Sequence, residues 1–233
     1  MSAHIIRQLP DFDTLERRAQ ESEWSGARIL LVGAGHSAQT AARDLAGLVR
    51  RSPDTTVTWV IRSHDPSFGA IEDDPLPARA SLVESARALG LDEDTPLDVR
   101  IGCAVEALSA STEGIQVTLR DTRGDMSRVT VDRILALTGS VGDARIYRQL
   151  QVHECYATSG PMKLAAALLA SSSSDCLTQT SHGVDTLRNP EPDFFILGEK
   201  SYGRNANYLM KVGWEQVDEV FSLLGAVSAP ASR

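Results

Sequence analysis

The chain has 233 residues, 42% of them hydrophobic and 23% charged, with a formal net charge of −8. That is ordinary for a globular protein long enough to bury one large core or two smaller ones. No apolar stretch approaches the roughly 20 residues needed to cross a bilayer, which argues against membrane insertion, and an acidic balance without gathered Lys and Arg argues against a nucleic-acid partner.

The N-terminal "MSAHIIRQLPDFD" lacks a basic region followed by an apolar one, so no secretory signal is expected and the cytoplasm is the expected location. Residues 1–27 read as a polar lead-in, with "LPDFD" as turn and "TLERRAQESEW" as a short helix. "ARILLVG" (27–33) is an apolar run too short for a helix and closed by glycine, the pattern of a strand buried on both faces. A helix starting near Ser37 then places Ala38, Ala41, Ala42, Leu45, Leu48 and Val49 at three- and four-residue spacings. "TVTWVIR" (56–62) is a second strand, followed by a loop dense in Pro, Gly and Asp. "ASLVESARALG" reads as a helix and "LDVRIG" (97–102) as a third strand.

The next thirty residues change character. "AVEALSAS", "GIQVTLRD" and "RVTVD" are short alternating runs joined by "TEG" and "TRGDMS", as in an antiparallel meander. "RILALTG" (133–139) returns to a continuous apolar run, as in a central parallel strand. Beyond it, "PMKLAAALLA" (161–170) reads as a helix with Pro161 in its first turn, "SSSSD" as a flexible connection, and "DFFILGE" (193–199) as a buried strand. A last helix is expected from about Asn205 to Leu224, with Leu209, Val212, Val217, Val220, Phe221 and Leu224 on one face. The implied class is α/β. A Rossmann-like parallel sheet with an inserted antiparallel β-meander spans 28–139, and a smaller C-terminal α/β segment spans 140–233.

"LLVGAGHSAQTAARDL" (30–45) carries the chemistry. A strand ending at Gly33 and a helix beginning near Ser37 place free helix N–H groups at the strand's carboxyl end, where a pyrophosphate is held. Gly33 permits the tight turn, Gly35 lets the ligand approach the backbone, and Ala38 takes the helix-packing place of a third glycine, making G-x-G-x-x-A. The alternative is a glycine turn that merely connects strand to helix; the strand before and the amphipathic helix after favour binding. At the end of the second strand stands Arg62 rather than Asp or Glu, which points to NADP(H) over NAD(H), although an Arg there is also a common solvated residue. His36 either touches phosphate or faces solvent.

"WSGARILLVGAGHSA" (24–38) resembles the start of the NADPH domain of flavin-containing monooxygenases and related two-dinucleotide flavoproteins, the pyridine nucleotide-disulfide oxidoreductase superfamily. "VDRILALTG" (131–139), with Thr138 and Gly139, resembles the strand that closes that domain, and "PDFFILGEKSYGRNANYLMKVGWEQVDEV" (192–220) is similar to the flavin-contacting C-terminal segment. There Gly198-Glu199 stands where the superfamily has Gly-Asp; the proline that often follows Thr-Gly is missing as well. The resemblance implies an NADPH-linked, FAD-dependent oxidoreductase, or its nucleotide-binding portion, passing hydride from nicotinamide to flavin. Residues 1–27 contain one glycine, Gly26, and no first fingerprint, so the chain reads as lacking the FAD half. The alternative is a non-catalytic nucleotide-binding or scaffold module, or a truncated flavoprotein whose FAD half comes from a partner chain. The expected partners are the dinucleotide and either a second copy or that partner chain.

Other constellations carry less. Tyr208 and Lys211 are the nearest to the Tyr-Lys pair of a direct NADP(H) dehydrogenase, inside a helix already needed for packing. His153, Cys155 and His182 match no metal-ligand spacing, so no metal is expected, and no side chain is named as catalytic. Cys103, Cys155 and Cys176 form no C-x-x-C and read as small apolar residues. In "SYGRNANY" (201–208), Ser, Arg and Asn before a helix suit an anionic cofactor group, and an N-cap by Asn205 explains them equally.

Overall fold

The computed structural model describes residues 4–10, 24–92, 94–170 and 181–228. The expected helix before Trp24, the "SSSSD" connection and Cys176 lie outside them. The chain divides into two compact units between Thr138 and Gly139. In chain order the first contains β1 (Ile5–Ile6), β2 (Arg28–Val32), α1 (His36–Arg51), β3 (Thr56–Ile61), α2 (Pro77–Leu91), β4 (Asp98–Ile101), β5 (Ala104–Ser111), β6 (Gly114–Arg120), β7 (Met126–Val131) and β8 (Arg133–Ala136). Five strands form an all-parallel sheet in the order β1-β8-β2-β3-β4, and β5-β6-β7 form a separate antiparallel meander.

The continuous apolar strands are explained by what covers each face. Ile29 and Leu31 of β2, with Trp59 and Ile61 of β3 and Leu135 of β8, pack against α1 and α2 through Ala38, Ala41, Ala42, Leu45, Val83 and Ala86. Leu30, Val60 and Ile134 point the other way, onto Ile115, Val117, Leu119 and Val131 of the meander. Because successive strand residues face opposite sides, both sets are buried and alternation vanishes from β2, β3 and β8. It survives in β6, where every second residue is buried.

The second unit contains α3 (Met162–Ala170), α4 (Glu199–Tyr202) and α5 (Met210–Ser228), with single 3-10 turns at Arg145–Tyr147 and Val184–Leu187. Leu164, Leu168, Leu187, Tyr202, Val212 and Val220 form its core. Among the described residues, no helix is long and apolar enough to cross a membrane.

The structure differs from the sequence expectations at four places. Ile5–Ile6, inside the polar lead-in, pairs with β8 as a two-residue edge strand. Residues 193–199 form no strand: Phe195 makes one isolated bridge to Arg188, and Ile196 is buried as an apolar run in irregular backbone, which periodicity cannot tell from a strand. The last helix begins at Met210 rather than near Asn205, because α4 and the turn after Gly203 occupy the intervening residues. Val217 and Phe221 do not join its buried face; with Met210 and Trp214 they are exposed.

The meander is tied to the sheet at the amino end of β2. The Arg28 amide and guanidinium both donate to Asp132, at 2.8 Å and 2.7 Å, and the guanidinium also reaches the Glu113 carbonyl. Hydrogen bonding from the Arg28 side chain, outweighing desolvation and helped by its amide, holds the Asp132 carboxyl below the usual carboxylate range. A depressed carboxylate contributes stability above its unfolded pKa and loses it as pH falls through the folded value. Arg28→Met is therefore expected to lower the melting temperature at pH 7 and to shrink the loss of stability below about pH 4, measured by thermal melts at a series of pH values. Both side chains are 39% exposed, so the effect is modest and smaller in high salt.

Candidate nucleotide-binding site

The sheet order makes the carboxyl ends of β2 and β8 a topological switch point, since the chain leaves β2 for β3 on one side while β8 lies on the other. The residues after β2 are pinned from both neighbours. The Gly33 amide donates to the Val60 carbonyl at 3.1 Å, and the Leu137 amide donates to the Val32 carbonyl at 2.9 Å. Trp59 Nε1 donates to the Gly33 carbonyl at 2.8 Å. Gly33 has φ +132°, and a Cβ there would collide with the Leu137 carbonyl oxygen and stand 3.3 Å from the Cβ of Ala38. Ala38 is fully buried, so α1 sits against the strand end at a distance that admits no larger side chain.

Gly35 is the opposite case. Its φ of −73° and ψ of 172° are open to any residue, yet nothing lies within 4 Å of the place a Cβ would take. It is the N-cap of α1 without a side-chain cap, no acidic residue occupies the first turn, and His36 and Ser37 are exposed. The first amides of a 16-residue helix thus meet no side-chain cap, while Arg50 and Arg51 complement the dipole at its far end. Thr138 is exposed directly after β8 and Leu137. Gly139 opens the second unit.

Arg62 follows β3, is exposed, and has no ion-pair partner among the described residues. The loop from Arg62 to Leu76 runs to α2 and closes on a buried ion pair, in which Arg79 Nε and Nη2 each donate at 2.7 Å to Asp74. Hydrogen bonding from Arg79 holds the Asp74 carboxyl below its usual range, with a smaller contribution from the charge of His36. Gln39, which the sequence analysis passed over, is 1% exposed, and its Nε2 donates to the Ala34 carbonyl at 2.9 Å and the Phe68 carbonyl at 2.8 Å. A signal was present: Gln39 stands three and seven residues before the buried Ala42 and Ala46, on the packed stripe of α1.

In the second unit, the Gly198 amide donates to Gln216 Oε1 at 2.8 Å, and its carbonyl accepts from Ser201 Oγ at 2.7 Å. Glu199 is the exposed first residue of the four-residue α4. Tyr208 packs edge-on against Tyr202, while Lys211 pairs with Glu215 at 3.7 Å, so the two do not form a proton-transfer couple. Asn205 Oδ1 accepts from the Asn207 amide, a local turn ahead of α5. Cys103 packs against the meander-facing core; Cys155 is half-buried, with its thiol drawn down by a hydrogen bond to the Thr158 side chain. His153 and His182 are exposed, and no group of three or more His, Cys, Asp or Glu able to hold a metal occurs among the described residues.

No family model and no curated protein matches the sequence. Solved structures do match in fold. Thioredoxin reductase of T. acidophilum aligns with a TM-score of 0.54 at 12% identity, over 90% of this chain and 56% of that one. Bacillithiol disulfide reductase of Bacillus cereus aligns with a TM-score of 0.58 at 17% identity, over 88% and 52%. Thioredoxin reductase of Lactococcus lactis aligns with a TM-score of 0.53 at 13% identity, over 94% and 61%. The fold is similar to that of these three reductases, mixed α/β with a parallel sheet and an antiparallel three-stranded sheet. The chain spans little more than half the length of these structures.

The two glycines are expected to respond oppositely to substitution. Gly33→Val forces an L side chain into positive φ against a backbone carbonyl and should destabilise the chain by about 2–5 kcal/mol. Gly35→Val should move the melting temperature by no more than about 2 °C, since it fills open space at an ordinary φ. Circular-dichroism melts of the two variants check this.

Proposed function

We propose that the chain binds NADPH at the Gly33–Ala38 turn, as the nucleotide-binding portion of an FAD-dependent oxidoreductase in which hydride passes from nicotinamide to flavin. The observation that carries this is the open space at Gly35 over the uncapped start of α1, at the switch point between β2 and β8. The residues fit a dinucleotide: backbone amides of His36, Ser37 and Ala38 for the pyrophosphate, His36 and Ser37 side chains exposed beside it, and Arg62 for a 2′-phosphate. Thr138, at the carboxyl end of β8, belongs to the same crevice, and Gly139 follows it. When bound, NADPH supplies a hydride; the protein's part is to hold and orient it.

The flavin half has less support among the described residues. Gly198 and Glu199 are its proposed contacts, but the Gly198 amide is already satisfied by Gln216 and α4 is too short to offer an anion site. That observation favours the second reading, a nucleotide-binding or scaffold module that depends on a partner for FAD or does without it.

Titration of the purified chain with NADPH and NADH, followed by nicotinamide fluorescence, tests the first claim. NADPH is expected to bind more tightly; Arg62→Ala should weaken NADPH about tenfold or more and leave NADH unchanged, by loss of a charge-assisted phosphate contact. Gly35→Val should abolish both. Equal and negligible binding of the two nucleotides by the native chain removes the proposal. A flavin absorption band in the purified chain decides for the enzyme, and a colourless nucleotide-binding chain decides for the module.

A further inference from the structure

The glycine turn is tied to a loop that no sequence motif connects with it. Gln39 lies on α1, and through one nitrogen it holds the Ala34 carbonyl inside the turn and the Phe68 carbonyl in the Arg62–Leu76 loop. Phe68 is buried and packs against Trp59 with ring centroids 5.6 Å apart, while Trp59 Nε1 holds the Gly33 carbonyl from the other side. His36 also faces this loop: a Cβ at Gly69 would stand 4.0 Å from its Nε2.

The loop is held along its length. The Ser63 carbonyl accepts from the Gly102 amide at 3.0 Å, Phe68 is anchored in the middle, and Asp74, with 4% of its side chain exposed, is locked to Arg79. Phe68 has φ +55°, a region that bulky residues rarely occupy and that persists only where the surroundings over-determine it. Packing on Trp59 and the Gln39 hydrogen bond are what over-determine it here. Gln39 Oε1 is itself buried without a partner among the described residues. An amide kept at such a place costs desolvation on its acceptor side, which an apolar side chain of the same volume avoids, so its two donated bonds are the reason for it.

We infer that Gln39 is a positioning residue for the dinucleotide site, and that the Arg62–Leu76 loop is a wall of that site, latched by Gln39 to the glycine turn. This rests on the coenzyme reading of the turn. The latch fixes the Ala34 peptide, and with it the direction of the amides that follow. It also sets the distance between those amides and the segment that begins at Arg62. Loss of the latch then reduces affinity in molecules that remain folded, which a purely structural role does not.

The test compares NADPH affinity and melting temperature in the native chain, Gln39→Met, Gln39→Glu and Leu45→Ala. Gln39→Met keeps the volume and removes the amide; Gln39→Glu keeps the shape and removes both donors, and it decides if the first variant does not fold. Leu45 is fully buried on the same helix, and its truncation lowers stability through the core alone. Each Gln39 variant is expected to raise the Kd of the folded protein about tenfold, whereas Leu45→Ala lowers the melting temperature at least as far with a Kd within about twofold of native. A folded Gln39 variant with native Kd, or one that merely tracks its melting temperature as Leu45→Ala does, overturns the positioning role and leaves the coenzyme site standing. A native chain that binds no NADPH overturns both.

Discussion

The first unit depends on one close approach, that of the Gly33 backbone to the Leu137 carbonyl on one side and to Ala38 on the other. Three elements, β2, β8 and α1, converge on a point with no volume for a side chain. The convergence needs positive φ at Gly33 and a residue no larger than alanine at 38. With α1 drawn against the strand end, its first amides lie at the carboxyl ends of β2 and β8. A bulkier corner would push the helix outward and turn those amides away from the sheet's carboxyl edge.

The Arg28–Asp132 tie and the open glycine turn lie at opposite ends of the same strands. At the amino end, Arg28 joins β2 to Asp132 and to the Glu113 carbonyl, closing the meander onto the sheet. At the carboxyl end the backbone is left open at Gly35. The meander matters for this division because it covers the face of Leu30, Val60 and Ile134 without any helix. Both helices therefore lie on the other face, and α1 presents the one long uncapped start beside the switch point. Among the described residues, a parallel sheet buried on both faces is thus obtained with helices on one side only.

Much of this was legible from the residues. The run before Gly33, the three- and four-residue spacing of α1 and the alternation of β6 each follow from one period, set by which face is buried. Ile5–Ile6 was not legible, because two residues have no period. The 193–199 run misled for a different reason: Ile196 is buried in irregular backbone, and an apolar run carries the same signature whether a sheet or a loop buries it. Val217 and Phe221 fit a helical stripe by spacing but lie on its exposed side, since spacing gives a face and not the width of what covers it. At the candidate site, the glycines and Arg62 were read from a motif, whereas Gln39 acts through two carbonyls, 5 and 29 residues away, which no local pattern encodes.

The net charge of −8 opposes the proposed anionic coenzyme at long range, but the relevant field is local. Charges more than about 8 Å apart across solvent are screened at physiological ionic strength, so distant carboxylates contribute little at the turn. Of the acids in the Arg62–Leu76 loop, Asp74 is neutralised by a bidentate Arg79 and withdrawn from solvent. That pairing neutralises one of the loop's four acids; Asp65, Glu72 and Asp73 are exposed, as is Arg62 at the loop's start. The same ion pair anchors the far end of the loop that Gln39 holds in the middle. One contact therefore both neutralises an acid of the loop and fixes the far end of the segment that Gln39 holds in the middle.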